Sequence, residues 1–257
     1  MITSTANPQI KNLIKIVQKS KTRKEQGVFI AEGFKMYRET PVSDIEKVYI
    51  SKTYYNKKKD IFSDVKIPVE IVEDSVFKVV SDTVTPQGIL TVVRQRQYSL
   101  EQMLQVKSPC LLVLDSLQDP GNLGTIMRTA EAAGVTGIVM NKTTVDIYNP
   151  KTIRSTMGSI YRVPFVYVDN LGDSVERMQK KGILVYAAHL MESVDYDKIS
   201  YKEGIAFLIG NEGNGISTEL CEKADQYIKI PMLGQIESLN AAVAASLLVY
   251  EAYRQRR

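Results

Sequence analysis

The chain has 257 residues, 44% of them hydrophobic and 24% charged, which excludes a disordered or fibrous protein. Its formal net charge of +4 permits a polyanionic partner without requiring one. Cys110 and Cys221 lie outside any ligand pattern, so we expect neither a disulfide framework nor a metal site. The N-terminus does not resemble a signal peptide and no apolar run is long enough to span a bilayer, so we expect a soluble, cytoplasmic protein.

The first part of the chain alternates helix and strand signals. Apolar residues at helical spacing predict a helix from Asn7 to Gln18, and a second, short helix is predicted from Asp74 to Ser81. Short apolar runs predict strands at 28–31, 48–50, 69–72 and 88–93. This alternation predicts a small α/β domain over residues 1–95.

A polar, basic stretch follows and predicts a linker over residues 96–107, which includes a short helix at 100–106. From residue 108 to 257 the pattern becomes more regular. Apolar, β-branched runs predict strands at 111–114, 137–140, 164–168, 183–187, 205–209 and 227–230. Helical patterns lie between them, notably around 123–130 and 239–250, so we predict a parallel-sheet α/β domain.

Basic residues are concentrated near the N-terminus, before the first acidic residue. They are Lys11, Lys15, Lys19, Lys21, Arg23 and Lys24. The cluster suits a solvated helix face and loop as well as a set of phosphate contacts, and the sequence leaves both interpretations open.

Three segments of the second half place polar residues where strands end, the edge at which open α/β sheets bind ligands. Residues 115–134 lead from a strand through a turn with Asn122 into a helix with Arg128. Residues 205–215 run from a strand into a glycine-rich loop that contains Glu212. Its glycines follow neither the dinucleotide nor the P-loop spacing. Residues 228–251 pass from a strand through a loop to Ser238, Leu239 and Asn240 and an alanine-rich helix.

Together these segments resemble the SpoU branch of the SPOUT methyltransferases, also known as the TrmH family. The motifs are Asn122 to Ala130, Gly210 to Gly213 and Ile230 to Asn240, in family order, with a weaker fourth segment around Arg154. In the first half, Ile30 to Gly33 and Thr85 to Ile89 resemble the small substrate-binding domain that often precedes the catalytic domain.

The resemblance implies a trefoil-knotted parallel sheet, a homodimer and methyl transfer from S-adenosylmethionine to an RNA ribose 2′-hydroxyl, most readily in large-subunit ribosomal RNA. It assigns catalytic roles to five residues, namely Asn122, Arg128, Glu212, Ser238 and Asn240. It assigns cofactor contacts to Leu208, Gly210, Ile230, Met232 and Leu239. The basic cluster and Arg154 become candidate RNA contacts. Family members assign proton removal to the arginine at position 128. Since guanidinium rarely loses its proton, that residue could instead orient the hydroxyl and its phosphate.

Three alternatives stay open at this stage. A transfer RNA could replace ribosomal RNA as the substrate, or the chain could be a non-catalytic RNA-binding or ribosome-assembly protein. A nucleotide-dependent oxidoreductase is disfavoured by the missing GxGxxG motif. The single histidine, His189, lies outside all three segments, so we expect a structural role for it. We also expect deletion of residues 1–95 to abolish RNA recognition and to spare cofactor binding.

Overall fold

The computed structural model describes residues 1–62, 67–189, 193–236 and 238–257. The chain divides into two compact units. The first contains Met1–Arg96 and Asp146–Tyr161, and the second contains Gln97–Val145 and Arg162–Arg257. None of the helices in the described ranges is long and apolar enough to cross a membrane.

The first unit is a four-stranded mixed sheet with helices. Its strands are β1 (Val28–Glu32), β2 (Ile45–Ser51), β3 (Val69–Val72) and β4 (Ile89–Arg94). Its helices are α1 (Pro8–Gln18), α2 (Ser20–Gln26), α3 (Phe34–Glu39), α4 (Lys52–Lys57) and α5 (Asp74–Val80). The strand order is β1-β4-β2-β3, with β2 and β3 parallel and β4 antiparallel to both neighbours. The predicted α/β character is therefore confirmed, whereas the domain bounds of 1–95 stay a prediction.

Helix α1 begins where the sequence predicts, because the Asn7 side chain accepts a hydrogen bond from the Gln9 amide at 2.8 Å and Pro8 occupies the first turn. The helix buries Ile10, Leu13 and Ile16 in one core of this unit. That one-sided burial leaves its lysines in solvent.

The second unit is built on a seven-stranded parallel sheet. Its strands are β5 (Cys110–Leu114), β6 (Gly137–Asn141), β7 (Phe165–Val168), β8 (Leu184–Ala188), β9 (Val194–Asp195), β10 (Ile205–Ile209) and β11 (Gln226–Lys229). Its helices are α6 (Leu100–Leu104), α7 (Pro120–Ala132), α9 (Leu171–Gln179), α10 (Thr218–Cys221) and α11 (Ala241–Arg256). Helix α8 (Pro150–Thr156) lies between β6 and β7 in the chain but belongs to the first unit.

The strand order in this sheet is β7-β6-β5-β10-β8-β11-β9, and every pairing is parallel. The predicted parallel-sheet α/β fold is confirmed. The central strands β5 and β10 are fully buried because helices cover such sheets on both faces, which explains their unbroken apolar sequences. The trefoil knot depends on how the loops thread past one another and stays a prediction.

Candidate functional site

The site begins at one edge of the parallel sheet, where the carboxyl ends of its strands meet. Strand β5 ends before Asp115, β10 ends before Gly210, and β11 ends before Ile230. The loops that follow these strands therefore emerge at the same edge of the sheet, although the first precedes the other two by about 100 residues in sequence. Two of the loops lead directly to the first turns of helices α7 and α11.

Glu212 is the centre of a hydrogen-bonded network at this edge. Its carboxylate accepts hydrogen bonds from the backbone amides of Gln118 at 3.1 Å and Asp119 at 3.0 Å. The Asn122 side-chain amide donates a third bond, of 2.9 Å, to the same carboxylate. The glycine-rich loop is thus fastened to the turn that precedes α7.

Asn122 carries the network onward to the third segment. Its side-chain oxygen accepts a hydrogen bond from the Asn240 side chain at 3.0 Å. Asn240 in turn caps α11, because its side-chain oxygen accepts from the amides of Ala242 at 2.9 Å and Val243 at 3.3 Å. The chain Glu212–Asn122–Asn240, which we call the polar triad, joins all three predicted motif segments.

The charge state of Glu212 limits what this residue can do. Burial raises the pKa of its carboxyl, but the hydrogen bonds from Asn122, Gln118 and Asp119 outweigh that effect and lower the pKa below its ordinary value. Glu212 is therefore an anion at neutral pH and a weak base. The geometry suits it to positioning its neighbours rather than to accepting a proton.

Arg128 and Ser238 lie outside the polar triad. Both side chains are exposed, and in the part of the chain that the structure describes the Arg128 guanidinium makes no hydrogen bond or ion pair. Arg128 follows Asn122 by six residues on α7, and its exposed guanidinium is not neutralised by any of the residues that the structure describes.

The five predicted cofactor residues differ in their access to a ligand. Gly210, Ile230, Met232 and Leu239 are partly exposed at the edge. The side chain of Leu208, in contrast, is fully buried in the sheet core and its backbone lies between β5 and β8. The prediction of a cofactor contact at Leu208 is therefore withdrawn, because this residue has no surface to offer.

Gly210 is required by the close approach of the loop to itself. A Cβ at this position would lie 2.1 Å from the carbonyl carbon of Gly215 and 2.2 Å from the Ile216 nitrogen. These are backbone atoms, which cannot move aside cheaply. The absence of a side chain lets Asn211 and Gly215 pair across the loop, with bonds of 2.8 Å and 3.0 Å.

The residues present fit S-adenosylmethionine. Among the described residues between Ile230 and Asn240, none lies in a helix or strand, so their amides and carbonyls are not used by regular structure. Partly buried Met232 and Leu239 offer apolar surface to an adenine ring. Such a mixture of apolar side chains and a few directed backbone groups is typical of cofactor sites. The described residues contain no cluster of three or more metal-ligating side chains.

Sequence reasoning missed the residues that support the loops. The buried Asp115 carboxylate accepts from the Ser217 amide at 2.9 Å and from the Asn141 side chain at 2.8 Å. Asp119 caps α7 by accepting from the Asn122 amide at 2.8 Å. Both aspartates stand in the turn after β5, so the signal was an acidic side chain directly after a buried strand.

The predicted RNA contacts fall into two classes. Five lysines are exposed on the first unit, and they are Lys11, Lys15, Lys19, Lys21 and Lys24. Arg23, in contrast, is 4% exposed. Its guanidinium donates to the Asp146 carboxylate at 2.6 Å and 3.1 Å and to the carbonyls of Ile16 and Val17. Arg23 therefore stabilises the fold, and the prediction that it contacts RNA is withdrawn.

Arg154 and His189 also have structural neighbours. Arg154 is half-buried in the first unit, and its guanidinium lies 2.7 Å from the Asp82 carboxylate. His189 follows β8, and its ring lies 5.1 Å from the ring of Tyr227.

Comparisons with known proteins agree with this geometry. A sequence profile described as the SpoU rRNA Methylase family matches residues 109–250, and another described as the MRM3-like substrate binding domain matches residues 7–91. The chain is 36% identical over 250 residues to the 23S rRNA (guanosine(2553)-2'-O)-methyltransferase RlmP of Bacillus subtilis, an alignment that covers 97% of both chains.

Solved structures show the same relationship. The structure of an AdoMet-bound rRNA methyltransferase from Sinorhizobium meliloti matches with a TM-score of 0.87 and 32% identity, over 98% of this chain and 97% of that chain. The SpoU methyltransferase AviRb from Streptomyces viridochromogenes shares the fold, with a TM-score of 0.88 at 24% identity over 97% and 98% of the two chains. The resemblance predicted from the three motifs is confirmed, and the chain belongs to the SpoU rRNA methylase family.

Proposed function

We propose that the chain transfers a methyl group from S-adenosylmethionine to a ribose 2′-hydroxyl in large-subunit ribosomal RNA. The observation that carries this proposal is the polar triad, which brings three family motifs together at the ligand-binding edge of the sheet. The Bacillus subtilis relative, a 23S rRNA (guanosine-2'-O)-methyltransferase by name, aligns over 97% of this chain. Ribosomal RNA as a substrate implies a cytoplasmic protein.

The protein's part in this reaction is binding, orientation and exclusion of water. A bound S-adenosylmethionine supplies an electrophilic sulfonium methyl group. Backbone groups at Gly210, Ile230 and Leu239, with the side chain of Met232, hold the cofactor. Binding both reactants in one geometry removes most of the entropic barrier to a displacement reaction.

Arg128 acts on the RNA side of the site. Its exposed guanidinium orients the ribose hydroxyl by binding the adjacent phosphate in bidentate fashion. Asn122, which Glu212 and Asn240 hold from both sides, places the start of α7 and with it Arg128. Ser238 contacts the target ribose. The lowered pKa of Glu212 makes its carboxylate a weak base, so Glu212 is not assigned the removal of the hydroxyl proton.

The test is methyl transfer from tritium-labelled S-adenosylmethionine to deproteinised RNA from cells that lack the gene. The wild-type protein should label large-subunit ribosomal RNA at a 2′-O-methyl position. Arg128→Ala should reduce turnover at least about 100-fold and leave the cofactor Kd within about threefold. Arg177→Ala, an exposed arginine on α9, is the matched control. Labelled transfer RNA would refute the substrate, and cofactor binding without transfer to any RNA would favour the non-catalytic alternative.

We also propose that the chain is a homodimer through α11. Val243, Leu247 and Tyr250 form an exposed apolar stripe on this helix, with Val243 47% and Tyr250 45% exposed. The stripe lines a groove together with Asn122 and Asn240, so a second copy would cover apolar surface and complete the wall of the site. Leu247→Asp should give monomers by light scattering, whereas Val106→Asp, an exposed control in a turn, should not.

The proposed division of labour follows the predicted boundaries. Residues 108–257 hold the cofactor and the reacting hydroxyl, and residues 1–95 bind the RNA together with Arg154. The five exposed lysines of the first unit support this role, because cations on one unit attract the phosphate backbone.

A further inference from the structure

The loop from residue 81 to residue 88, which connects α5 to β4, is held by a buried carboxylate. Glu32 ends β1 and is 7% exposed. Its carboxylate accepts hydrogen bonds from the Ser81 hydroxyl at 2.8 Å and 3.0 Å, from the Thr83 hydroxyl at 2.9 Å and from the Gln87 amide at 3.2 Å. All three donors belong to the loop, so one side chain ties both of its ends.

Two glycines hold the far end of the loop against the sheet. Gly33 has φ +104°, and a Cβ there would lie 2.3 Å from the side-chain oxygen of Gln87. Gly88 has φ +81°, and a Cβ there would lie 2.7 Å from Cβ of Tyr54. The positive φ angle at each position would strain any other residue, and a side chain at Gly88 would also collide with Tyr54 of α4. The chain therefore fixes the conformation of this surface loop from both sides.

The tip of the fixed loop is apolar and exposed. Val84 is 98% exposed, and Asp82, two residues before it, is paired with Arg154 at 2.7 Å. Burying a carboxylate is unfavourable unless both of its oxygens accept hydrogen bonds. Here the loop supplies those hydrogen bonds to Glu32, which indicates that the conformation of the loop is important. A loop held in one shape that exposes an aliphatic side chain, two residues from a carboxylate paired with a guanidinium, is suited to binding.

The chemistry of this surface fits a nucleotide. An unstacked base has an apolar face and is attached to an anionic phosphate, and proteins recognise looped RNA through such exposed bases. Val84 offers the apolar contact, and Arg154 retains N–H groups beyond the one bonded to Asp82.

We propose that the loop of residues 81–88, held in shape by Glu32, is an RNA-binding element that packs Val84 against an unstacked base while Arg154 contacts a neighbouring phosphate. Glu32 is thereby a positioning residue for substrate recognition. This inference rests on the proposed function, since it takes the RNA substrate as given and specifies where the first unit contacts it.

The test compares three substitutions in the full chain. Val84→Ser should raise the Kd and the KM for in vitro transcribed large-subunit ribosomal RNA about five- to tenfold, the loss of one buried aliphatic contact. Val84→Leu, which keeps an apolar tip, should stay within about twofold of wild type. Val42→Ser is the control, because Val42 is also a highly exposed valine of this unit but lies outside the loop. In all three, kcat and the cofactor Kd should not change.

Glu32→Gln tests the support of the loop. Hydrogen exchange at the Gln87 amide should accelerate, and the KM for the RNA should rise at least about threefold while kcat is retained. If Val84→Ser and Val42→Ser bind the RNA with the same affinity, the inference is overturned and Val84 does not contact RNA.

The binding measurement separates this inference from the proposed function. A wild-type protein that binds the RNA but transfers no methyl group would end the proposed function, while the affinity ratio of Val84→Ser still decides the role of the loop. A wild-type protein that binds no RNA would overturn both.

Discussion

Replacement of Glu212 by alanine is the sharpest test of the polar triad. The substitution removes the acceptor for three N–H groups, those of Gln118, Asp119 and the Asn122 side chain. A hydrogen bond to an ionised group contributes about 1.5–3 kcal/mol where water is excluded. At this exposed position water replaces the lost partner, so about 0.5–1 kcal/mol for each bond is appropriate. The three bonds together then amount to about 1.5–3 kcal/mol.

That loss should be visible both in stability and in turnover. For a chain of this size we expect Tm to fall by about 3–12 °C, because 1 kcal/mol corresponds to about 2–4 °C. Asn122 loses its anchor at the start of α7, so kcat should fall about 30- to 100-fold while the KM for RNA stays within about threefold.

Two variants complete the experiment. Glu212→Gln keeps one acceptor oxygen but turns its NH₂ group towards a neighbouring N–H group. Its Tm and kcat should therefore lie between those of the wild type and Glu212→Ala. Glu222→Ala, an exposed glutamate after α10, is the matched control and should change neither quantity. Thermal unfolding and single-turnover methyl transfer provide the measurements. A folded Glu212→Ala protein with wild-type kcat would refute the role of the triad.

Three further outcomes are expected. Gly210→Ala should weaken binding of S-adenosylmethionine at least about tenfold by calorimetry, because its Cβ would meet the backbone of Gly215 at 2.1 Å, whereas Gly213→Ala, whose nearest contact is 3.6 Å, should not. Lys15→Ala should lower the salt-dependence slope of RNA binding by about 0.7–0.9, and an unchanged slope would remove Lys15 from the interface. The folded-state pKa of Glu212 is lowered, so its contribution to stability is present above its ordinary pKa of 4.5 and is lost as the pH falls through the folded value. Urea unfolding from pH 3 to 7 should show that loss in wild type and not in Glu212→Gln.

The strands of the parallel sheet could be predicted to within one residue at most ends. The prediction for β10, residues 205–209, matches the structure, and that for β5 differs only by Cys110. The reason is physical, since a strand buried on both faces must be apolar throughout and its polar neighbours mark its ends. The predicted helix at 239–250 begins later, at Ala241, because Asn240 caps it with its side chain.

The convergence of Asn122, Glu212 and Asn240 was predicted from the order of three motifs and is seen in the structure. The fate of Arg23 could not be predicted in the same way. It stands in a basic cluster, yet its ion-pair partner, Asp146, is 123 residues away in sequence. Glu32 is a similar case, because the hydrogen-bond donors that surround it lie about 50 residues further along the chain.

The position of residues 146–161 changes the expectation for a truncated protein. These residues belong to the first unit, where the ring of Tyr148 stacks on Phe29 with centroids 4.7 Å apart and Tyr161 lies 6.3 Å from the same ring. The Thr40 hydroxyl also donates to the Tyr161 hydroxyl at 2.8 Å. Deletion of residues 1–95 would strip the partners from two buried aromatic side chains, a loss of about 1.5–3 kcal/mol each.

The free energy of unfolding of a typical domain is only about 5–15 kcal/mol, so such a loss is a large part of it. We therefore expect a fragment of residues 96–257 to bind a hydrophobic dye, to unfold without a cooperative transition and to bind S-adenosylmethionine more weakly than the full chain. Because the fragment is poorly folded, its reduced RNA recognition would say little about the role of the first unit. Val84→Ser and Lys15→Ala leave the fold intact and test that role directly. A monodisperse fragment that unfolds cooperatively and binds the cofactor as tightly as the full chain would show that residues 146–161 do not need residues 1–95.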